Sequence, residues 1–521
     1  MRLTSLRAAA VVAALLWSGT VPAQTVGSIQ GGTVTIAVPT MPTGYSVVAS
    51  AGLGDVLAAN LIGEGLVRWK KSALEVEPAL ATSWTVNKNA TVWTFKLREG
   101  VKWHDGTRFT AADVKFTFDT IANSKVRSAT AGQIASYERT EIVSPSEVRM
   151  VFGKPIAALL YMLAYRMPIA PKHALEGQDL NAPAEFIRKP IGTGAFKFAS
   201  AASGQSWTVE RNPDWWGGSP NLDRVVLRVA ADSNSAVAQL RTGALDLALI
   251  QPQQIAAVKA GGDVNVSSVD QPTVYYISLL NNKEPFGDAR VRMALNYAID
   301  KEGIIKAVLD GHGLVATSPI APSVEGYSTD LTVYPYDPEK AKALLAKAGW
   351  SLVNGKIQKD GKPMQVELTT STGVIGGPQL AQIVQRQLQQ LGIDATIKMV
   401  EFRELWGGLF AGRFQASVEY LGLPPTADVT NTFGCKGGQN RFAYCNPKVD
   451  ALLAEANATA DVQRRNAQYR EVQKILADDA PAIWLYFPKE VRAVNARVVD
   501  FPTLPWRMAT VRMFDTSVTK K

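Results

Sequence analysis

Trp93, Phe95 and Leu97 alternate with Thr94, Lys96 and Arg98, the period of a strand with one buried face. Gly100 breaks the run and Val101 and Trp103 resume it. His104-Asp105-Gly106 then reads as a turn in which glycine takes a positive φ. Thr110, three residues before Asp113, makes an acidic variant of the capping box. Val114, Phe118 and Ile121 follow at i, i+4 and i+7, one apolar helix face. Thr91–Asp119 therefore predicts strand, turn, strand, turn, helix. It is scaffold, with no catalytic grouping in it.

The same patterns place elements along the rest of the chain. Strands are expected at Thr33–Val38, Val148–Phe152, Val225–Val229, Leu245–Leu249, Tyr275–Asn282, Ala395–Val400, Ala416–Leu421 and Ala482–Tyr486, and Val491–Val499 is expected to return to the first lobe. Helices are expected at Leu57–Leu66, Ile156–Met167, Ala236–Thr242, Val291–Ala298, Val449–Ala458 and Val462–Ala477. Asp337-Pro338 opens a helix as N-cap and first-turn proline, and Gly349 closes it. Leu380, Ile383, Val384 and Leu388 share one face of another helix, which stops near Gly392. Helices alternating with strands make the fold α/β, and 521 residues exceed what one core usually organises, so two or three lobes are expected.

The amino terminus is not part of that fold. Arg2 and Arg7, the apolar Ala8–Leu16 and Val21-Pro22-Ala23 form a cleavable export leader, too short in its apolar run to span a bilayer. No cysteine follows it, so the mature chain, starting at Gln24, carries no lipid. A free exported protein of this kind belongs in the periplasm of a diderm bacterium. Cys435 and Cys445, the only two cysteines, then read as one local disulfide, with two free thiols as the alternative. The 55 basic residues against 46 acidic give +9, and +7 once Arg2 and Arg7 leave with the leader. The basic residues are scattered, without a run of five or a basic helix face, so the charge is a solvated surface and nucleic acid is not a partner.

Little in the chain suits catalysis. His104, His173 and His312 are the only histidines and none has metal-ligand spacing to a cysteine or another histidine. No G-x-S-x-G elbow occurs, Ser517–Lys520 lies in the tail, and Asp478-Asp479 closes a helix. Gly192-Thr193-Gly194 lacks a third glycine, and Gly349…Gly355-Lys356 has one residue too many for a phosphate loop. No enzyme activity, metal site or cofactor is expected.

Glu77-Pro78-Ala79-Leu80-Ala81 through Trp84 to Asp113-Val114 resembles the extracellular solute-binding proteins of family 5, the peptide/nickel/opine class that feeds bacterial ABC importers. Pro190–Phe196, Arg211-Asn-Pro-Asp-Trp-Trp-Gly217, Pro220–Asp223, Tyr275–Asn282 and Pro285–Asp288 extend the resemblance over nearly all of the mature chain. It implies a two-lobed periplasmic-binding-protein clamp (type II, cluster C) with an additional accessory domain. Residues 1–23 would be the leader, 24–55, 190–272 and 488–521 lobe I, 56–189 the accessory domain, and 273–487 lobe II. The partners implied are a small-molecule or peptide-like solute and an inner-membrane ABC permease with its cytoplasmic ATPase, served by a monomer. A non-transport chaperone-like or sensory protein on the same fold is the alternative.

Tyr420-Leu-Gly-Leu-Pro-Pro-Thr-Ala-Asp428 is similar to the family's ligand-facing loop. It makes Tyr420 the expected platform and Asp428 the polar anchor, with Trp406, Arg403, Tyr45 and Tyr275 as further candidates. Peptide-binding members carry an aspartate three residues after the loop's aromatic, where this chain has Leu423. Dipeptide-type members carry an arginine in a loop corresponding to Ser371–Pro378, which here contains none. The leader reading has a direct check. Amino-terminal sequencing of exported protein should start at Gln24 with no acyl group, and intact Met1 or a lipid would overturn it.

Overall fold

A computed structural model describes residues 28–42, 53–71, 74–128, 130–422 and 426–519. Its largest element is a 12-stranded mixed sheet shared by the two halves of a clamp. The strand Ala482–Asn495 runs through the middle of it. Ala482–Tyr486 pairs with Thr273–Leu279, and beyond that strand lie Ala416–Gly422, Gln365–Thr370 and Asp394–Met399. Lys489–Asn495 pairs instead with Val264–Asp270 on one side, while Val491–Val494 meets Leu247–Ile250 on the other. From there the sheet continues through Thr33–Val38 and Arg224–Val229 to Ser206–Arg211 and Phe196–Ala202.

The sequence pattern predicts a strand that ends at Tyr486, where the structure continues it to Asn495. Pro488 has no N–H to leave unpaired, and it lies opposite Gly313 of the short strand Gly313–Val315. Lys489 resumes the ladder by donating its N–H to the His312 carbonyl at 3.0 Å. Both faces of the second half's strands are covered. Tyr275, Ile277 and Leu279 enter one hydrophobic cluster while Val274 and Tyr276 enter another, which is why Tyr275–Leu280 is nearly continuously apolar.

Around Thr91–Asp119 the strand Val92–Leu97 joins Ala81–Val86, Glu147–Phe152 and Tyr137–Ser144 in a four-stranded antiparallel sheet. Trp93, Phe95 and Leu97 are buried, as are Val114, Phe118 and Ile121 of the helix Ala111–Ala122. Each such side chain contributes about 1.5–3 kcal/mol. The capping box forms: Asp113 Oδ2 accepts from Thr110 N at 2.9 Å, and Thr110 Oγ1 accepts from Ala112 N at 3.3 Å. Val101 and Trp103 are buried but do not build the second strand; the pairing there is an isolated bridge between Lys102 and Arg108.

His104 fastens this unit to the segment Pro190–Phe196. Its Nδ1 accepts from Gly192 N at 3.1 Å, so Nε2 carries the proton and donates to the Gly194 carbonyl at 3.0 Å. Burial pushes the imidazole down to about 4, which keeps it neutral. A Cβ on Gly192 or Gly194 would stand 2.1 or 2.5 Å from the Ile62 carbonyl oxygen, so these glycines serve a close backbone approach. That approach also ends the first long helix early. It spans Leu53–Ile62, four residues ahead of the expected start, because the Ile62 carbonyl accepts from Gly194 N at 2.8 Å. The Trp215-Trp216 pair ties the chain down in a similar way, since both indoles donate to buried Glu64, at 3.2 and 2.7 Å.

One buried charge gives a pH signature. Lys301 is 5% exposed, its Nζ donates to Asn296 Oδ1 at 3.2 Å, and burial lowers its amine from 10.5 to about 7. Between those values the unfolded chain binds more protons than the folded one. The lysine's unfavourable term is therefore full below about pH 7 and fades as pH rises to 10.5. Lys301→Met should raise the urea midpoint at pH 6 by the equivalent of roughly 3 kcal/mol, after the lost hydrogen bond is counted. The advantage should vanish by pH 10, and an equal gap at both pH values would refute the assignment.

Candidate functional site

The two halves of the sheet face each other across a cleft of about 1820 Å³. Its floor is the crossing strand and its neighbours. Tyr275, Tyr420 and Tyr486 stand directly opposite one another on three adjacent strands. Their rings touch in sequence, Tyr275 to Tyr420 at 5.6 Å and Tyr275 to Tyr486 at 5.0 Å, the second pair nearly parallel. All three line the cleft, and none of their hydroxyls hydrogen-bonds to a described residue. Burial, then the neighbouring Tyr420, pushes the Tyr275 phenol up to about 12. Burial, then Tyr275, moves Tyr486 further in the same direction. The three rings form a ladder with free hydroxyls, suited to stacking and to single hydrogen bonds.

Asp428 also lines the cleft, but its Oδ1 already accepts from Thr430 N at 2.9 Å and Thr430 Oγ1 at 2.5 Å. It thus holds the first residue of the short helix Thr430–Phe433 as well as facing the cavity. Cys435 and Cys445 are joined, and the loop between them brings Lys436, Gly437, Gly438 and Gln439 to the wall. The loop is braced from within: Asn431 takes the Gln439 N–H on its carbonyl at 2.9 Å and the Gly438 N–H on Oδ1 at 3.0 Å.

Trp406 and Arg403 do not line the cleft. Arg403 is exposed on the helix Phe402–Phe410. Trp406 is half-buried on the same helix, its ring 4.9 Å from the Arg441 guanidinium. Tyr45 lies outside the described residues. Sequence reasoning missed Tyr486 and the wall at Lys436–Gln439. Tyr486 sits in a run where every residue from Ala482 to Phe487 is buried, so no alternation marks it as cleft-facing.

The charges along the wall are mostly engaged elsewhere. Glu490 Oε1 accepts from Arg492 at 2.8 Å, Asp450 Oδ1 accepts from Cys435 N at 2.9 Å, and Lys489 lies 3.8 Å from Asp270. Lys154 and Lys436 are exposed and make no ion pair with a described residue. Among the described residues no arginine or histidine lines the cleft. Three hydrogen bonds between its two sides flank it. Gln253 Nε2 donates to the Val308 carbonyl at 2.9 Å on one side. On another, Tyr161 donates to Glu325, which also accepts from Asn466 at 3.0 Å, and Arg465 donates to the Ala157 carbonyl at 3.4 Å. The arrangement is a cleft between two walls, large enough to enclose a solute.

A family model described as bacterial extracellular solute-binding proteins, family 5 Middle, matches residues 75–441. The chain is 30% identical over 516 residues to Di/tripeptide-binding protein 2 of Pseudomonas aeruginosa (strain UCBPP-PA14), covering 92% of this chain and 94% of the relative. It is 29% identical over 473 residues to Heme-binding protein A of Haemophilus influenzae, covering 85% of this chain and 84% of that one. The structure of HbpA2 from Haemophilus parasuis aligns with a TM-score of 0.83 at 25% identity, over 94% of this chain and 100% of that chain.

Proposed function

The chain belongs to the bacterial extracellular solute-binding proteins of family 5, and from that premise we propose that it is the solute receptor of an ABC importer in the periplasm. It captures a small polar or peptide-like solute in the cleft and delivers it to an inner-membrane permease driven by a cytoplasmic ATPase. The observation that carries this reading is the cleft itself: about 1820 Å³, floored by three tyrosines in register on a strand common to both halves and its neighbours. A pocket that large and mostly walled by neutral groups suits capture. Relatives of nearly equal identity are named for di/tripeptides and for heme, so identity alone does not choose the solute.

In this reading residues 24–55, 190–272 and 488–521 form lobe I, 56–189 the accessory domain and 273–487 lobe II, and closure turns the lobes about the strands that join them. The protein is exported behind residues 1–23, stays unlipidated and works as a monomer. Tyr420 and Tyr275 hold the solute's apolar or ring portion, together with Tyr486, while Asp428 offers its remaining carboxylate oxygen. Trp406 and Arg403 act at most from behind that wall.

The charge of the cleft argues against a simple zwitterionic peptide. Leu423 stands where peptide-binding members of the family carry an acid, and Asp428 already spends one oxygen on Thr430. No guanidinium reaches the cleft from a described residue. A buried ammonium or carboxylate without a partner costs several kcal/mol, and about 8 kcal/mol is the whole of a micromolar affinity. The solute is therefore a less charged or differently charged molecule, such as a modified amino-acid conjugate, an opine or a glycoside.

Mass spectrometry of the small molecule released from gently purified protein identifies the solute. Small-angle scattering with that molecule should then show a smaller radius of gyration, and an unchanged value would count against a closing clamp. Calorimetry against a panel of unmodified di- and tripeptides should give no binding at micromolar concentrations. Tight binding there would refute the charge argument, and its loss in Asp428→Asn would show that Asp428 replaces the missing acid.

A further inference from the structure

Glu419 precedes Tyr420 on the strand Ala416–Gly422 and faces the opposite side of the sheet. It is wholly buried, and the group that meets it is Arg441, 4% exposed, with Nε 2.6 Å from Glu419 Oε2. Arg441 belongs to the loop closed by Cys435 and Cys445, four residues of which face the cleft. The guanidinium also donates to the Tyr276 hydroxyl, from Nη2 at 2.6 Å and Nε at 3.2 Å, and Tyr276 is the residue directly opposite Glu419 in the sheet. Its faces are covered by Trp406 at 4.9 Å and Phe442 at 5.8 Å. Burial alone would weaken the guanidinium's hold on its proton. The Tyr276 oxygen and the Glu419 charge more than offset that, so it stays charged.

The carboxylate accepts no well-aligned hydrogen bond, so the pair is held by charge, while direction comes from the two bonds to Tyr276. Hydrophobic residues of the same volume would fill this space at least as stably as a buried ion pair. What apolar residues would lack is a fixed geometry. The guanidinium fork docks on two groups of two adjacent strands, the same strands whose other face carries Tyr275 and Tyr420. A second tie lies next to it: the Phe442 carbonyl accepts from Asn281 N at 2.8 Å and Asn281 Nδ2 at 3.1 Å.

We propose that Glu419 and Arg441 are positioning residues for the solute site, setting the distance between the tyrosine floor and the wall formed by Lys436–Gln439. The role rests on reading the cleft as the solute site. Through this pair the back of the sheet dictates how thick a solute fits on its front. It also turns the loop's arginine inward, so that the wall presents amide, glycine backbone and one lysine instead of a carboxylate-binding fork.

Hydrogen exchange of the ligand-free protein tests this apart from any question of which solute binds. Arg441→Lys keeps the charge but cannot fork to both Glu419 and Tyr276. The pair Glu419→Met with Arg441→Leu removes both charges and keeps the volume. In each, amides 436–440 should exchange roughly ten-fold faster, while strands away from the loop and the thermal midpoint of the double variant stay near the native values. A purely structural pair would shift the midpoint and all protected amides together. That result, or native exchange at 436–440 in a folded variant, overturns the proposal. Should the double variant fail to fold, Arg441→Lys decides by the same loop amides.

Discussion

The structure depends on one strand staying paired from end to end. Ala482–Asn495 is the only strand that hydrogen-bonds into both halves of the sheet among the described residues. Its partners change at Tyr486–Lys489, from Thr273–Leu279 to Val264–Asp270, themselves separated only by Gln271 and Pro272. Two closely spaced crossings of this kind bend together and resist shear. The strand is laddered along its length, and on both edges at Tyr486 and at Val491–Val494. The cleft sits over that crossover, and Tyr275 and Tyr486 lie at its edge. The tyrosine floor is thus built on continuous sheet, while the facing wall at Lys436–Gln439 is loop.

Three buried charges show three ways of tolerating low dielectric. Glu64 is raised to about 7 by burial, against the two indole N–H groups that lower it, and it orients Trp215 and Trp216 in return. Lys301 has no carboxylate and is carried down to about 7 by burial, so it meets low dielectric by shedding its proton. Arg441 cannot shed its proton and is given a carboxylate and a phenol. The choice follows from proton affinity. A carboxylate or an amine can be neutralised near pH 7, whereas a guanidinium must be paired.

Much of the scaffold is legible from local pattern. Thr110 and Asp113, Gly349 and Gly392 act through interactions within a few residues, so spacing alone announces them. Alternation announces Val92–Leu97 and Glu147–Phe152 because one face of that small sheet is open to water. Local pattern fails where a distant partner decides the outcome. The helix ending at Ile62 is cut by Gly194, more than a hundred residues on, and the strand expected to end at Tyr486 runs on past Pro488, which lies opposite Gly313. The family loop points to Tyr420 and Asp428, and both line the cleft. Tyr486 carries no local signal, because a strand buried on both faces reads the same at every position. Trp406, one of the further candidates, has its ring over the Arg441 guanidinium, a contact no spacing rule encodes.

The division between floor and wall bears on how one scaffold serves different solutes. The floor's three rings are fixed by register, since moving any one strand by a single residue would turn its tyrosine to the opposite face. Variation at the floor is therefore costly and changes everything at once. The wall is different. Residues 436–440 are held by the disulfide, by Asn431 through the Gly438 and Gln439 backbone, and at their base by Asn281 and the Glu419–Arg441 pair. None of these ties uses the side chain of Lys436 or Gln439, both of which line the cavity. Side chains on that surface can change without disturbing what positions them. On the proposed reading, the chemistry of the accepted solute would be written on the loop, against a floor that offers three stacked rings, and a wall with no guanidinium among the described residues would disfavour solutes that need their carboxylate gripped on two oxygens.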